Sequence, residues 1–547
     1  MFYRIVSSLD KCFPDMKAGD FKELTSFSML RNERYSFQLC YDSEPGTNLA
    51  SAPTEIFIES PLSEYIKLYK VRCVPSEHPV SAGFYDENYE RIKPGLFPDV
   101  LEPMSPGERI LKSDSLNAIW FEVDPCGKAA PGTYPITVKL LSPGKEERVS
   151  VSCEIIGAFL PDTDFIFTQW FHVDCLKDYY LTGDYDDRLW KIIGDFAANA
   201  ARYGQNMILT PVLSPELDTF PSIYRTNVQL AKIKADNGVY SFDFSRLGKW
   251  IALCEEKGIK YFEINHLFSQ WGATKCPQVW AVKDGVYQRI FGWENDADSE
   301  EYIGFLKQFL PALVRYLKRK KVLDRCFFHI SDEPNITMLE HYGRLASVVK
   351  PLLSGRPVMD ALSDYDFYEK GICDIPIPSN DHIGPFVEHK VPGLWTYYCC
   401  GQWKDVSNRY FSMPSARNRA IGVQFWKFNI KGFLQWGYNF YNSFLSFTKI
   451  NPFLTTDGDG FVPSGDTCSV YPGREETPLP SLREVVFFDA LQDMRALYLL
   501  ESFIGKDAAL AIVENGIEPV LFNRFPYSRD FVLGLRERIN AEIKKHI

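Results

Sequence analysis

The sequence contains no run approaching the ~18 uninterrupted apolar residues of a membrane helix, which argues against a spanning segment. It contains no CxxC pair. Its 13 cysteines are scattered and odd in number, a pattern that speaks against a zinc ribbon and for reduced thiols. A strong Lys/Arg cluster is missing, and the net charge of −11 repels phosphate backbones and anionic lipid. Neither nucleic acid nor a membrane surface is therefore expected as a partner. No Gly-rich phosphate loop and no HxH or HExxH spacing occurs, so no cofactor or metal is expected. The first residues, MFYRIVSSLDKCFPD, lack the apolar core of a secretory signal, and a cytoplasmic location is the expectation. Internal repeats and low-complexity tracts are also absent.

What is present is a folded composition. Of 547 residues, 45% are hydrophobic and 24% charged, and the length calls for more than one domain. Residues 1–157 carry short segments rich in β-branched and aromatic residues, such as YSFQLCYD, TEIFIES, NAIWFEVD and TYPITVKLLS. Gly, Pro and Asn/Asp turns separate them, which predicts an N-terminal β-sandwich. From residue 158 apolar strands alternate with helical segments. Candidate strands are 165–171, 206–212, 260–268, 326–333, 357–363, 373–380, 393–400 and 432–440. Eight such units predict an α/β fold, a (β/α)8 TIM-like barrel over 158–504. SLREVVFFDALQDMRALYLLESF would be its last helix, and 505–547 a helical extension packed on the barrel.

Chemistry in such a barrel gathers where the strands end. The exits supply a substrate-binding set of His172, His266, Gln270, Trp271, His329, Asp364, Tyr397, Tyr398, Trp436 and Asn439. Aromatics and amides with few cations suit a neutral, hydroxyl-rich ligand, whose C–H faces pack on rings while its hydroxyls pair with amides.

The fourth exit, CFFHISDEPN, ends in two adjacent acids, Asp332 and Glu333, and then Pro334. On a regular strand neighbours face opposite ways, so both acids reach one pocket only if the strand unravels there. Sequence neighbours are poorly placed to flank a glycosidic bond as a usual carboxylate pair does. The conflict disappears when a 2-acetamido sugar supplies its own nucleophile. Glu333 would then be the acid/base, and Asp332 would stay ionised and steer the acetamido group. A plain reading competes: Asp before a helix is a common N-cap, and Glu suits the first turn. A metal-dependent hydrolase using His172, His266, His329 and His382 is a second alternative. A non-catalytic carbohydrate-binding protein is a third.

The stretches YFEINHLFSQWGATKCP, FFHISDEPN, DALSDYDFY, LWTYYCCGQ, MPSARNRAIGVQFWKFNIKGFLQWGYNFYNS, PSGDTCSVYPG and LREVVFFDALQDMRALYLLE resemble the catalytic barrel of glycoside hydrolase family 123. The resemblance covers roughly residues 160–503, and the β region before it is similar to the family's N-terminal sandwich. It implies a retaining β-N-acetylgalactosaminidase working by substrate-assisted catalysis on an oligosaccharide or glycoconjugate. It further implies that the family's Asp-Glu pair falls on Asp332 and Glu333, and that Trp271, Tyr397, Tyr398 and Trp436 line the sugar site. Another sugar specificity, and assembly into a homo-oligomer, are left open at this stage.

Overall fold

The computed structural model describes residues 1–43, 53–111 and 114–547. Two five-stranded sheets form the N-terminal region. The first runs in the order Phe2–Ser7, Tyr35–Asp42, Asn117–Val123, Ile66–Ser76, Gly95–Met104. The second runs Ser26–Leu30, Lys145–Ile156, Gly132–Ser142, Thr54–Glu59, Arg109–Ile110. Strand alternation explains how they pack. Phe37, Leu39, Ile119 and Phe121 share one core with Ile136, Val138 and Val151 of the other sheet. Residues of opposite parity on the first sheet face the rest of the molecule, and Trp120 packs with Tyr203, Leu482 and Val485. The strand Tyr35–Asp42 is thus buried along its whole length.

The second region is built on eight short strands: β1 (Ile166–Gln169), β2 (Met207–Thr210), β3 (Tyr261–Ile264), β4 (Cys326–Phe328), β5 (Met359–Ala361), β6 (Ile375–Ile377), β7 (Trp395–Tyr397) and β8 (Gly432–Gln435). Six of them make a curled parallel sheet in the order β4-β3-β2-β1-β8-β7, and β5 pairs in parallel with β6. Single parallel bridges join Phe328 to Val358 and Ser379 to Tyr397. Helices separate the strands, among them Asp187–Arg202, Ser245–Glu256 and Glu300–Arg319. Side chains alternate between two layers. Met207 and Leu209 point to the inside of the curl with Met359, Ile377 and Leu434, while Ile208 joins the helix layer.

The strands are shorter than the apolar runs suggest. The run 326–333 is ladder only as far as Phe328, because the amides of Ile330 and Ser331 bond to the Asp360 carboxylate and not to a neighbouring strand. A four-stranded sheet made of Lys232–Asp236, Val239–Asp243, Val279–Lys283 and Val286–Phe291 was not anticipated. Its two hairpins turn at Asn237-Gly238 and Asp284-Gly285, all four residues at positive φ, the expected chemistry of a two-residue turn.

The helix Leu482–Ile504 is capped by the Ser481 hydroxyl and crosses the helix Ile421–Lys427. The extension after it does more than cover this region. Its helix Arg529–Lys544 also packs on the N-terminal strand Ser26–Leu30, with Glu537 accepting from the Ser28 amide and hydroxyl. Among the described residues, no helix is long and apolar enough to cross a membrane.

Candidate active site

Beyond β4 the chain is held by side chains and by neighbouring loops. The Asp360 carboxylate accepts from the Ile330 amide at 3.2 Å, the Ser331 amide at 3.3 Å, the Tyr342 hydroxyl and His329 Nδ1 at 2.8 Å. His329 Nε2 meets Glu263 Oε1 at 2.7 Å. Glu263 also takes Trp170 Nε1 at 2.7 Å and the Thr168 hydroxyl at 2.6 Å. Burial works against charge on His329, but the Asp360 and Glu263 carboxylates outweigh it and lift its pKa to about 10. His329 is therefore an imidazolium clamped at both nitrogens, fully buried beneath the cleft.

The two acids follow immediately. The Trp271 amide donates to the Asp332 carbonyl at 2.8 Å, and the Glu333 amide donates to the Ala361 carbonyl at 2.9 Å. Glu333 has φ 44° and Trp271 φ 54°, both in the left-handed region that non-glycine residues avoid. That turn breaks strand alternation, and both carboxyls line one cleft. Tyr397 donates to Glu333 Oε1 at 2.6 Å. Burial pushes the Glu333 carboxyl up, against the Tyr397 bond that favours its ionised form. Among the described residues Asp332 has no such donor. Burial first, and then the charge of Glu333, hold its carboxyl well above the usual range.

Aromatic side chains form the walls: Trp170, Tyr397 and Trp436 inside, and Trp271 at the mouth with 45% of its surface exposed. The Trp436 indole donates to Asp466 Oδ2 at 2.7 Å, and its carbonyl accepts from His172 Nε2 at 2.9 Å. Because Arg225 donates to His172 Nδ1 at 2.9 Å, the ring proton sits on Nε2. Burial and then Arg225 keep His172 neutral, its pKa lowered to about 3. Arg225 is itself doubly bonded to Asp174 at 2.8 and 2.7 Å. Gln270, Asp218, Leu217, Ala361, Leu434, Cys399, Cys400 and Phe461 complete the lining.

Of the residues expected at the site, Gln270, Trp271, Asp332, Glu333, Tyr397 and Trp436 meet in this cleft. The others lie elsewhere. Tyr398 follows Tyr397 on the opposite face, with its hydroxyl on Asn418 at 3.0 Å and its ring against Phe433. Asn439 bonds the backbone of His172 in both directions, at 2.8 and 2.9 Å. His172 stands behind Trp436, and His266 stacks on His329 at 4.2 Å. Asp364, half-buried past the end of β5, is not part of the lining. Asp218, Glu263, Asp466 and Arg225 were not foreseen. Glu263 carried a usable signal, an acid inside an apolar strand. The other three come from loops without periodicity.

Among the described residues, one group of potential metal ligands occurs: His266, His329 and Asp360, with atoms within 4.8 Å of one another. Both His329 nitrogens are occupied by carboxylates, which leaves the group short of lone pairs for an ion. His382 is on the surface beside Asp381, so the four histidines do not converge. A larger surface concavity also carries consecutive acids, Asp86 and Glu87, beside Phe525 and Tyr527, but there Asp86 is ion-paired with Arg417 at 2.9 Å.

A family model described as "Glycoside hydrolase 123, catalytic domain" matches residues 170–500. A solved structure of a family 123 glycoside hydrolase from Clostridium perfringens, described in connection with glycolipid glycan hydrolysis, superposes with a TM-score of 0.76. It is 15% identical, over 100% of this chain and 98% of that one, a likeness of fold. A Parabacteroides merdae β-glucuronidase, with a TM-score of 0.33 at 10% identity over 85% of this chain and 51% of that one, is too distant to carry an argument. No curated protein sequence matches the chain significantly.

Proposed function

The chain belongs to glycoside hydrolase family 123, and from that premise we propose that it removes terminal β-linked N-acetylgalactosamine with retention of configuration, through an oxazoline intermediate. One observation carries the reading: consecutive acids, Asp332 and Glu333, open into the same aromatic cleft. A pair so close in sequence suits a reaction in which the acetamido oxygen of the substrate attacks the anomeric carbon. The same reading takes β1–β8, with helices between them, as a (β/α)8 barrel whose strand ends carry the chemistry.

Glu333 is the proton donor. Tyr397 occupies Oε1, so the proton sits on Oε2 and passes to the glycosidic oxygen as the bond breaks. It returns when Glu333 takes a proton from the water that opens the oxazoline. Asp332 receives the acetamido N–H, the donor its carboxyl lacks. That bond, and the positive charge of the oxazolinium, bring its pKa down on binding. One proton then resides on the pair and belongs to Glu333. Trp170 and Trp436 present apolar faces to the sugar ring, each held by a carboxylate on its indole nitrogen.

A panel of aryl and alkyl N-acetyl-β-hexosaminides tests this. Glu333→Gln loses about 10²–10⁴-fold on poor leaving groups and far less on activated aryl glycosides, which need little protonation. Asp332→Asn loses about 10²–10³-fold on both. Equal turnover of glycosides with only a hydroxyl at C2 would falsify the mechanism.

A further inference from the structure

The cleft holds a third carboxyl that the reaction above does not use. Asp218 follows β2 and lines the cleft, yet its side chain is nine-tenths buried and its Oδ2 has no hydrogen-bond partner among the described residues. Leaving a buried carboxylate oxygen unpaired is costly, and at the wall of a cleft a bound ligand can supply the missing donor. The backbone is set for the purpose. Asp218 has φ 50°, its amide donates to Gln270 Oε1, and its carbonyl accepts from the Ser446 hydroxyl at 2.7 Å. The Phe220 amide is tied to the Leu445 carbonyl at 3.0 Å, so the two loops hold each other. Arg225, whose charge acts on Asp218, is spent on Asp174 and His172 and bonds this loop at the Leu217 carbonyl, 3.3 Å away. Burial raises the Asp218 carboxyl to about 7, opposed by Arg225 and the Leu445 amide.

We propose that Asp218 is a substrate-binding residue that accepts hydrogen bonds from the C3–C4 hydroxyl edge of the sugar, with Gln270 fixing the loop that presents it. The inference rests on the reading of Asp332 and Glu333 given above. Glu333 marks C1 and Asp332 marks the acetamido group at C2. Gln270, which takes the Asp218 amide, precedes Trp271, whose amide bonds the Asp332 carbonyl, whereas Glu333 is held by Ala361 of β5 and Tyr397 of β7; Asp218 thus enters the cleft from the Asp332 side, beyond C2 and away from the leaving group. Such a residue governs which C4 epimer is accepted, because a hydroxyl out of reach leaves the buried oxygen unpaired.

The test measures kcat/KM of wild type, Asp218→Asn and Asp218→Ala on an aryl N-acetyl-β-galactosaminide and its 3-deoxy, 4-deoxy and 6-deoxy analogues. Thermal melts establish that each variant is folded. We expect Asp218→Ala to lose about 10- to 100-fold on the parent and the 6-deoxy sugar. On the 3-deoxy or the 4-deoxy analogue the loss should nearly vanish, because that bond is already missing. Asp218→Asn, which keeps an acceptor, should recover part of the parent activity. The same loss on every analogue, or no loss on any, overturns the assignment; a uniform collapse would instead suit a nucleophile or a scaffold. Should wild type prefer a glycoside without the acetamido group, the substrate-assisted reading fails, while the deoxy series of that sugar still decides the role of Asp218.

Discussion

Glu333 stands at φ 44° in a region that costs an ordinary residue about 1–3 kcal/mol. The Ala361 carbonyl and the Tyr397 hydroxyl hold it there, and the strain lets neighbouring acids share one cavity. Asp332 adds an electrostatic cost. Folding raises its pKa, so the native state binds that proton more tightly than the unfolded chain, whose aspartates titrate near ~3.9. Its contribution to stability is complete below that value and is lost as pH rises toward the folded pKa. Asp332→Asn removes the charge while keeping the shape. The variant should therefore melt above wild type at pH 8, with a smaller advantage at pH 4.5. A difference that stays constant between these pH values would show that Asp332 is not held protonated by the fold.

Element packing explains why some positions admit no side chain. A Cβ on Gly422 would lie 2.0 Å from the Ala490 carbonyl oxygen, where the helices Ile421–Lys427 and Leu482–Ile504 touch backbone to backbone. Neither backbone can yield alone, so Gly422→Ala has to part the helices and should cost about 1–3 kcal/mol or more in denaturant unfolding. Gly304 makes the contrast, in the helix Glu300–Arg319 with open space at its Cβ. There an alanine should add about 0.4–1 kcal/mol by narrowing the unfolded ensemble. If the two substitutions had equal effects, the backbone contact would have no energetic weight. A similar closeness on β8, where a Cβ at Gly432 would meet the Trp395 ring at 2.1 Å, sets how tightly β7 and β8 approach beneath the cleft.

At the level of the whole molecule the N-terminal sheets are fastened to the catalytic region by buried charge. Asp99 takes two bonds from Arg483 at 2.8 Å and one from Tyr471 at 2.6 Å. Lys11 donates to the Phe411 carbonyl at 2.6 Å, and Arg536 bridges Glu33 at 2.5 Å and Asp493 at 2.8 Å. Asp99→Ala would leave the Arg483 charge buried and unpaired, a loss of about 3–5 kcal/mol in chemical denaturation. Shared burial of this kind should also make wild type unfold in one calorimetric transition. Two well-separated transitions, or an Asp99→Ala protein as stable as wild type, would mean that the two regions fold independently.

How much of this was legible in the chain depended on range. Apolar periodicity is local, so it located the eight strands and several of the helices between them, although the end of β4 ran long because the Asp360 carboxylate took over its ladder amides. The Asn237-Gly238 and Asp284-Gly285 turns were equally local, and they announced the extra sheet to any reading that weighed them. The adjacency of Asp332 and Glu333 before a proline was also written in the sequence. Which polar side chains reach the cleft was not. Asp218 arrives on a loop with no period, as does Asp466 behind Trp436, while His172, His266, His329 and Asn439 are drawn beneath the surface by partners up to 267 residues away. Hydrogen bonds and burial over such separations exist only in the folded chain, and they alone decided which groups face a substrate and which hold those groups in place.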